Sequence, residues 1–371
     1  MVSVRNLLLP LSVALIPFGA PAEEPFEVEP GGSAVIYYQG GKREGEGTSG
    51  AGYTANLELT VKLKEGELYG RLHAGEGDGA DGKWGEELFA NLNTLADDNP
   101  ENGGFELLEL YYTLELLNGN LKLYLGKSEP FILIDANCYA NDEEKQFVGK
   151  AFVNNPLIDP EDRFAPMVGV DWKLSETLSF QGVLQSSDKG RLKWNGEEWE
   201  NEEKSVYEDI FDRPTGALQL TYTKDNWNYR VYLWGDTAPH PKLTCIDRPE
   251  GCEGVRGVAV GLSLDGELSE GIGLFARASV ARKTAYRGWQ FYSVGALFNG
   301  ERRELGVGLG AVVPSPYYGK QSTEVHFEGY YRVDLGENLY LMPDLQVVLN
   351  PGGDGSSGPL YAATVKLGLS F

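Results

Sequence analysis

The densest group of side chains that could bind a solute lies between residues 129 and 165. Carboxylates, carboxamides and aromatic rings are mixed along this segment, and the amides Asn154 and Asn155 follow. Carboxylate and amide groups form hydrogen bonds with hydroxyl groups, and aromatic faces pack against apolar C–H surfaces. This chemistry suits contact with sugars. The candidate solute-contacting residues of the segment are Asp135, Asn137, Tyr139, Asn141, Asp142 and Glu143.

Catalytic and cofactor motifs are weak. The histidines are His73, His240 and His326, and the chain has no G-x-S-x-G nucleophile elbow. The stretch from 135 to 144 resembles a calcium loop, but Ala140 replaces the required glycine and Gln146 replaces the terminal glutamate. We therefore expect no enzymatic activity, no cofactor and no bound metal.

The three cysteines indicate a disulfide rather than a metal site. Cys245 and Cys252 lie in a polar, proline-containing segment and could close a small loop, which would leave Cys138 over. No C-x-x-C spacing is present. A disulfide requires an oxidising compartment.

The amino terminus predicts export. Arg5 precedes a short apolar run, and Ala20-Pro21-Ala22 follows it, as in a secretory signal peptide cut after Ala22. We therefore expect residues 1–22 to be a signal peptide and residues 23–371 to form the mature domain.

Alternation of apolar and polar residues is the dominant pattern of the mature chain. Such a period of two marks strands with two different faces. We count sixteen strands, an even number as a closed outer-membrane barrel requires. The predicted fold is therefore an all-β, transmembrane antiparallel barrel of about 16 strands. The strands are predicted near 33–39, 53–63, 67–75, 105–116, 121–128, 166–173, 178–185, 215–223, 227–235, 255–264, 271–281, 288–298, 303–313, 322–333, 338–348 and 360–371.

The connections between these strands alternate in length. Short turns such as 64–66 and 117–120 alternate with longer connections, which predicts short periplasmic turns and long extracellular loops. Loop 129–165 is the longest and is the candidate constriction loop. The last strand ends on Phe371, an aromatic end that resembles the signal recognised by the barrel assembly machinery. The longer connections are 40–51, 76–104, 129–165, 186–214, 236–254, 282–287, 314–321 and 349–359.

Charged residues on the polar phase of the strands are predicted to face the lumen. Mixed signs around a pore would create a transverse field that favours dipolar solutes, whereas a ring of one sign would select ions. The candidate pathway residues on the strands are Arg71, Glu109, Arg230, Arg277, Glu328 and Arg332.

The overall charge excludes one class of partner. The chain carries 55 acidic and 32 basic residues, for a formal net charge of −23. Nucleic-acid binding needs clustered lysine and arginine, so no nucleic-acid partner is expected.

Two blocks of sequence resemble the OprB-type carbohydrate-selective porin family. The first contains Gly126-Lys127, the stretch Asp135–Glu143, Gln146-Phe147 and Phe152–Pro156; the second contains Glu328–Arg332, Pro343–Gln346 and Asn350–Gly352. The resemblance implies an outer-membrane barrel that passes monosaccharides and other small solutes by diffusion. Its partners would be outer-membrane lipid and small sugars or ions.

Alternatives remain open at this point. Some chains similar to this family resemble general or inorganic-ion channels, so a general or cation-preferring porin is the main alternative, and an outer-membrane enzyme is a remote one. The sequence is compatible with either a monomer or a homotrimer.

Overall fold

The computed structural model is a closed antiparallel β-barrel. It describes residues 26–100, 103–158, 164–187, 189–194, 199–203, 205–207, 210–245, 252 and 254–371; the predicted signal segment lies outside them. The chain forms strands β1 (Glu27–Arg43), β2 (Glu46–Leu63), β3 (Gly66–Glu76), β4 (Phe105–Leu116), β5 (Leu121–Ser128), β6 (Ala165–Lys173), β7 (Leu178–Gln185), β8 (Lys189–Trp194), β9 (Trp199–Glu203), β10 (Thr215–Lys224), β11 (Trp227–His240), β12 (Val255–Ser269), β13 (Ile272–Ala281), β14 (Gly288–Gly300), β15 (Arg303–Pro314), β16 (Glu324–Asp334), β17 (Leu339–Leu349) and β18 (Leu360–Ser370).

Helical structure in the described residues is confined to short turns between strands. None of these helices is long and apolar enough to cross a membrane. They are α1 (Asp81–Trp84), α2 (Lys150–Val153) and the 3₁₀ turns Gly85–Glu87, Thr94–Ala96, Pro130–Ile132, Leu243–Cys245 and Pro351–Gly353.

Sixteen strands close the barrel, which confirms the predicted fold. Consecutive strands pair antiparallel around the ring, and β1 closes it by pairing with β18. Strands β8 and β9 form a separate hairpin, so that β7 pairs directly with β10. Closure leaves the barrel sheet without an unpaired edge, which is the condition for a sheet to lie in lipid.

The connection predicted at 40–51 is wrong in length. β1 and β2 pair along their whole length from Glu27↔Lys62 to Arg43↔Glu46. Only Glu44 and Gly45 turn the chain, both with positive φ, at 51° and 90°. Such a two-residue turn matches the twist of a tight β-hairpin.

The two faces of the strands have opposite character. On β2, Leu57 and Leu59 point outward and are exposed by 50% and 45%, whereas Thr54 and Asn56 point inward and are buried. On β18, exposed Val365 precedes fully buried Lys366. The apolar outside and polar inside are the arrangement of a membrane barrel with a polar lumen.

Two connections fold into the lumen. These are loop A, the described residues 77–100 and 103–104, and loop B, the described residues 129–158 and 164. Phe147 and Phe152 of loop B are buried against Phe275 and Tyr330 of the barrel wall, with ring centroids 5.0 to 6.4 Å apart. A large hydrophobic cluster therefore lies between loop B and the inner wall from β6 to β17.

A disulfide closes the segment between β11 and β12. Cys245 and Cys252 are bonded, with their Cα atoms 5.5 Å apart, and Cys138 is a free, exposed cysteine of loop B.

Candidate solute pathway

Arg277 on β13 fixes loop B at several points. Its Nε donates to both carboxylate oxygens of Asp135, at 3.0 and 2.9 Å, and both side chains are fully buried. Its remaining nitrogens donate to the carbonyl oxygens of Phe152 at 2.6 Å and Ala140 at 3.0 Å, and to the Asn141 side chain. One guanidinium group, with its fork of N–H donors, therefore ties together two distant stretches of the loop.

β16 and β18 provide further anchors for loop B. Glu328 accepts hydrogen bonds from the backbone N–H groups of Val148 and Gly149, at 2.6 and 3.0 Å. Lys366 Nζ donates to the carbonyl oxygens of Glu143 at 2.6 Å and Gln146 at 3.1 Å. These wall charges satisfy backbone groups that would otherwise be buried without partners.

Three of the candidate residues anchor loop B and do not have the role that was expected for them. Asp135, Arg277 and Glu328 were expected to line the solute path. They are at most 4% exposed and bind protein groups. Their position makes them supports of loop B rather than surfaces that water or solute could contact.

Loop A enters the lumen as well, which sequence reasoning missed. Glu324 on β16 accepts from the backbone N–H groups of Phe89 at 3.0 Å, Ala90 at 3.1 Å and Gly352 at 2.6 Å. Gln39 and Gln346 both donate to the carbonyl oxygen of Leu92, at 3.1 and 2.9 Å. The sequence did contain a sign that loop A is buried, because large apolar side chains recur within this mostly polar loop. They are Trp84, Leu88, Leu92 and Leu95, and all four are buried.

The two loops are joined to each other. The backbone N–H of Thr94 donates to Val148 O at 2.9 Å, and that of Lys150 donates to Asn91 O at 3.1 Å. Lys150 Nζ also lies 3.3 Å from Asp97 Oδ2. Loops A and B therefore form one continuous partition inside the barrel.

A cavity of about 380 Å³ lies between this partition and the wall near β3. This volume falls in the range of small-molecule sites. Its polar lining combines carboxylates, amides and a guanidinium group, and its apolar lining comes mainly from loop B. The lining residues are Arg71, Thr94, Asp98, Glu129, Phe131, Ile132, Ala136, Asn137, Cys138, Asn141, Glu143, Val153 and Asn154.

The positive charge in the cavity is closely matched by carboxylates. Arg71 Nε lies 2.7 Å from Glu109 Oε2 on the neighbouring strand, and its Nη2 lies 4.0 Å from Asp98 Oδ2. The guanidinium group also sits over the Phe164 ring, 5.0 Å from its centroid. Glu109 accepts a further hydrogen bond from Ser128. Arg71 and Glu109 therefore form an ion pair with a fixed position on the wall beside the cavity.

Glu143 faces a strongly acidic surrounding. Burial in the lumen, together with nearby Asp142 and Asp98, raises the pKa of the Glu143 carboxyl to about 8. Asp142 itself accepts from the backbone N–H groups of Glu144 at 3.1 Å and Lys145 at 2.9 Å, so it orders the turn of loop B. Burial also raises the pKa of the Cys138 thiol.

The other candidates lie outside the cavity. Tyr139 packs against Gly273 on β13, where a side chain would collide with its ring. Arg230 pairs with Asp265 on the adjacent strand, and Arg332 lies 3.2 Å from both Glu304 and Asp334.

Four of the candidate residues share the cavity, and several of its other polar residues were missed. The structure brings Arg71, Asn137, Asn141 and Glu143 together. The lining residues that were not named as candidates include Asp98, Glu129 and Cys138. These residues lie in loops, where the sequence has no periodic pattern that would predict their direction. The composition of loop B indicated only that the loop is rich in polar side chains.

A closed sixteen-strand barrel with an apolar outside and a polar lumen narrowed by inward loops is the architecture of outer-membrane porins. The protein is therefore an outer-membrane porin, and its location is the bacterial outer membrane. The model of the family described as "Carbohydrate-selective porin, OprB family" matches residues 261–371. The match confirms the resemblance indicated by the second sequence block.

Other proteins resemble the chain over most of its length. An uncharacterized protein of Aquifex aeolicus (strain VF5) is 25% identical over 320 residues, which cover 84% of this chain and 86% of that protein. The high-pH structure of Pseudomonas putida OprB superposes with a TM-score of 0.70 at 14% identity, covering 93% of this chain and 94% of the other. An anion-selective porin from Comamonas acidovorans gives a TM-score of 0.60 at 12% identity, covering 94% and 100%. At these identities the structural likenesses establish the fold.

Proposed function

We propose that this porin allows passive diffusion of small carbohydrates through the cavity between loops A and B and the β3 side of the wall. The observation that carries the proposal is the lining of that cavity. The amides of Asn137, Asn141 and Asn154 lie there beside carboxylates and the Arg71 guanidinium group. Such a mixture offers both donors and acceptors to the hydroxyl groups of a sugar.

Loop B acts in this proposal as the constriction. It is held by buried anchors on β13, β16 and β18, so its position is built into the fold. A rigid partition sets the width of the path, and the polar lining replaces part of the hydration shell of a passing solute. The apolar side chains Phe131 and Ile132 offer contact to the C–H faces of a sugar ring.

A second candidate function is conduction with a preference for cations. Asp98, Glu129 and Glu143 line the cavity with Arg71, whose charge is already matched by Glu109. Carboxylates at a constriction favour cations over anions. The two candidates differ in what crosses fastest among solutes of equal size.

Liposome swelling with purified protein distinguishes these candidates. Glucose, glucosamine and gluconate are similar in size and differ in charge. Faster entry of glucose than of size-matched ions supports carbohydrate diffusion. Fastest entry of glucosamine, with slow entry of gluconate, favours the cation-preferring channel. Equal entry rates for all three solutes would contradict both proposed selectivities and would indicate a general porin.

The path itself can be tested with the native thiol of Cys138. This cysteine lines the cavity and is exposed, whereas Cys245 and Cys252 are bonded to each other. The thiolate is the reactive form of cysteine, and the pKa of the Cys138 thiol is raised. Labelling with a bulky methanethiosulfonate should therefore be done at alkaline pH. We expect labelling to slow glucose entry, and the Cys138→Ser variant to be insensitive to the reagent. Complete labelling by mass with unchanged entry would place the path elsewhere.

A further inference from the structure

Three tyrosines on neighbouring strands form a ladder on the lumen wall. The Tyr69 and Tyr111 rings lie 5.2 Å apart, and the Tyr111 and Tyr124 rings lie 6.0 Å apart. Tyr69 and Tyr111 are direct cross-strand partners on β3 and β4. Tyr124 extends the row onto β5. The three rings therefore form a continuous aromatic strip across three strands, here called the tyrosine platform.

The platform faces the lumen on the short-turn side of the cavity. Tyr69 lies two residues before Arg71 on β3, so the two side chains share the inward face. Tyr111 likewise lies two residues after Glu109 on β4. Tyr124 packs against the core formed by loop B. A solute leaving the cavity toward the periplasmic turns would therefore meet these rings next.

The rings are accessible and chemically equipped for a ligand. All three tyrosines are partly exposed. Within the described part of the chain, their hydroxyl groups make no hydrogen bonds to protein. Charged side chains border them: Glu58 near Tyr69, and Asp171 and Lys122 near Tyr124.

Sheet stability alone does not require this arrangement. Cross-strand aromatic pairs stabilise sheets, and the pair Tyr222–Tyr229 does so on the lipid face, with rings 6.1 Å apart. On the lipid face an aromatic ring is in an apolar medium. In a polar lumen, the exposed parts of three adjacent rings keep apolar surface in contact with water, and a ligand that covers this surface gains free energy by removing it from water.

We infer that the tyrosine platform is a saccharide-binding subsite, on which the C–H face of a pyranose ring stacks while the bordering carboxylates accept hydrogen bonds from its hydroxyl groups. The inference rests on the proposed function, since it assumes that sugars traverse this lumen. Flat aromatic surface with carboxylates at its edge matches a ring that is apolar on its faces and hydroxylated around its rim. An acyclic polyol has the hydroxyl groups but lacks the rigid face.

The test measures block of single-channel ion current by glucose and by mannitol in planar bilayers. Tyr111 contacts both neighbouring rings, so Tyr111→Leu should interrupt the strip. We expect the glucose concentration for half-maximal block to rise about tenfold, which corresponds to about 1.4 kcal/mol of lost stacking. Tyr111→Phe retains the ring and should keep most of the glucose affinity. Mannitol should block the wild-type channel more weakly than glucose and should be little affected by either variant.

The lipid-facing Tyr222→Leu variant is the matched control, because it breaks a similar cross-strand pair outside the lumen. It should leave glucose block unchanged. Unchanged glucose block in Tyr111→Leu, or an equal loss in Tyr222→Leu, would overturn the platform and leave the porin function standing. Failure of wild-type protein to admit glucose into liposomes would instead overturn the proposed function.

Discussion

Replacing Arg277 with methionine should release part of loop B and widen the pore. The guanidinium group is fully buried and binds Asp135 through Nε at 2.9 Å. It also holds the carbonyl oxygens of Ala140 and Phe152. Methionine fills a similar volume but supplies no donor, so the Asp135 carboxylate and two loop carbonyls lose their partner at once.

The size of the effect follows from the burial of the pair. Removing one partner of a buried ion pair costs about 3–5 kcal/mol, because the remaining charge is left uncompensated. At about 1.4 kcal/mol per factor of ten, the local opening equilibrium of loop B shifts by about two to three and a half orders of magnitude. The barrel ladder is independent of this contact, so the sixteen strands should remain closed.

The assay is the exclusion limit for neutral polymers in liposome swelling, together with single-channel conductance. Both should increase in Arg277→Met. The double variant Asp135→Leu with Arg277→Met removes both charges and should widen the pore less, since an apolar pair can replace a buried ion pair at little cost. Arg230→Met is the control, because Arg230 pairs with Asp265 on the wall and neither residue belongs to loop B.

An unchanged exclusion limit in Arg277→Met, in protein that still migrates as a folded barrel, would refute the anchoring argument. Equal widening in Arg230→Met would also refute it, since loss of any buried wall charge would then suffice.

Three further predictions concern loop B and its lining. Deleting Ala136–Lys150 should raise conductance and the exclusion limit; unchanged conductance would contradict the constriction role. The Glu143 carboxyl, with its pKa raised to about 8, should lose its proton as pH rises from about 7 to 9, adding negative charge to the cavity. Cation-over-anion preference, measured as reversal potential in a salt gradient, should therefore increase over that range in wild-type protein and stay constant in Glu143→Gln. Gly308→Val should displace loop B, because even a Cβ there would lie 2.6 Å from the Phe152 ring; wild-type conductance and trypsin resistance would count against this.

Much of the barrel could be predicted because a lipid-facing strand must alternate. Leu57 and Leu59 contact the outside, whereas Thr54 and Asn56 face the lumen, and the same rule fixes all sixteen strands. The rule failed at 40–51, where glycines interrupt the apolar phase. The backbone there still pairs to the turn, because ladder hydrogen bonds do not depend on side-chain identity.

The site could be predicted less completely. Alternation places Arg71 and Arg277 on the same inner surface, but it does not say which of them meets water. That depends on where loops A and B lie, and their course is set by long-range contacts such as Glu324 with Phe89 and Ala90. Loops lack the periodicity that locates strands. The composition of loop B identified Asn137 and Glu143, while Asp98 in loop A was missed.

The division between anchors and lining changes the electrostatics expected of the lumen. Counting all charges on the inward phase predicts a balanced transverse field. Lys366 and Arg277, however, are buried and donate to carbonyl groups of loop B, so their positive charges are removed from the path surface. The lining of the cavity retains Arg71, which is paired with Glu109, together with the carboxylates of Asp98 and Glu129 and the Glu143 carboxyl, which is charged mainly above about pH 8. The acidic wall residues Glu324 and Glu328 anchor the loops in the same way, so anchoring removes charges of both signs from the path surface. The selectivity that we expect therefore depends on the residues that line the cavity and not on the number of charges on the inward phase of the strands.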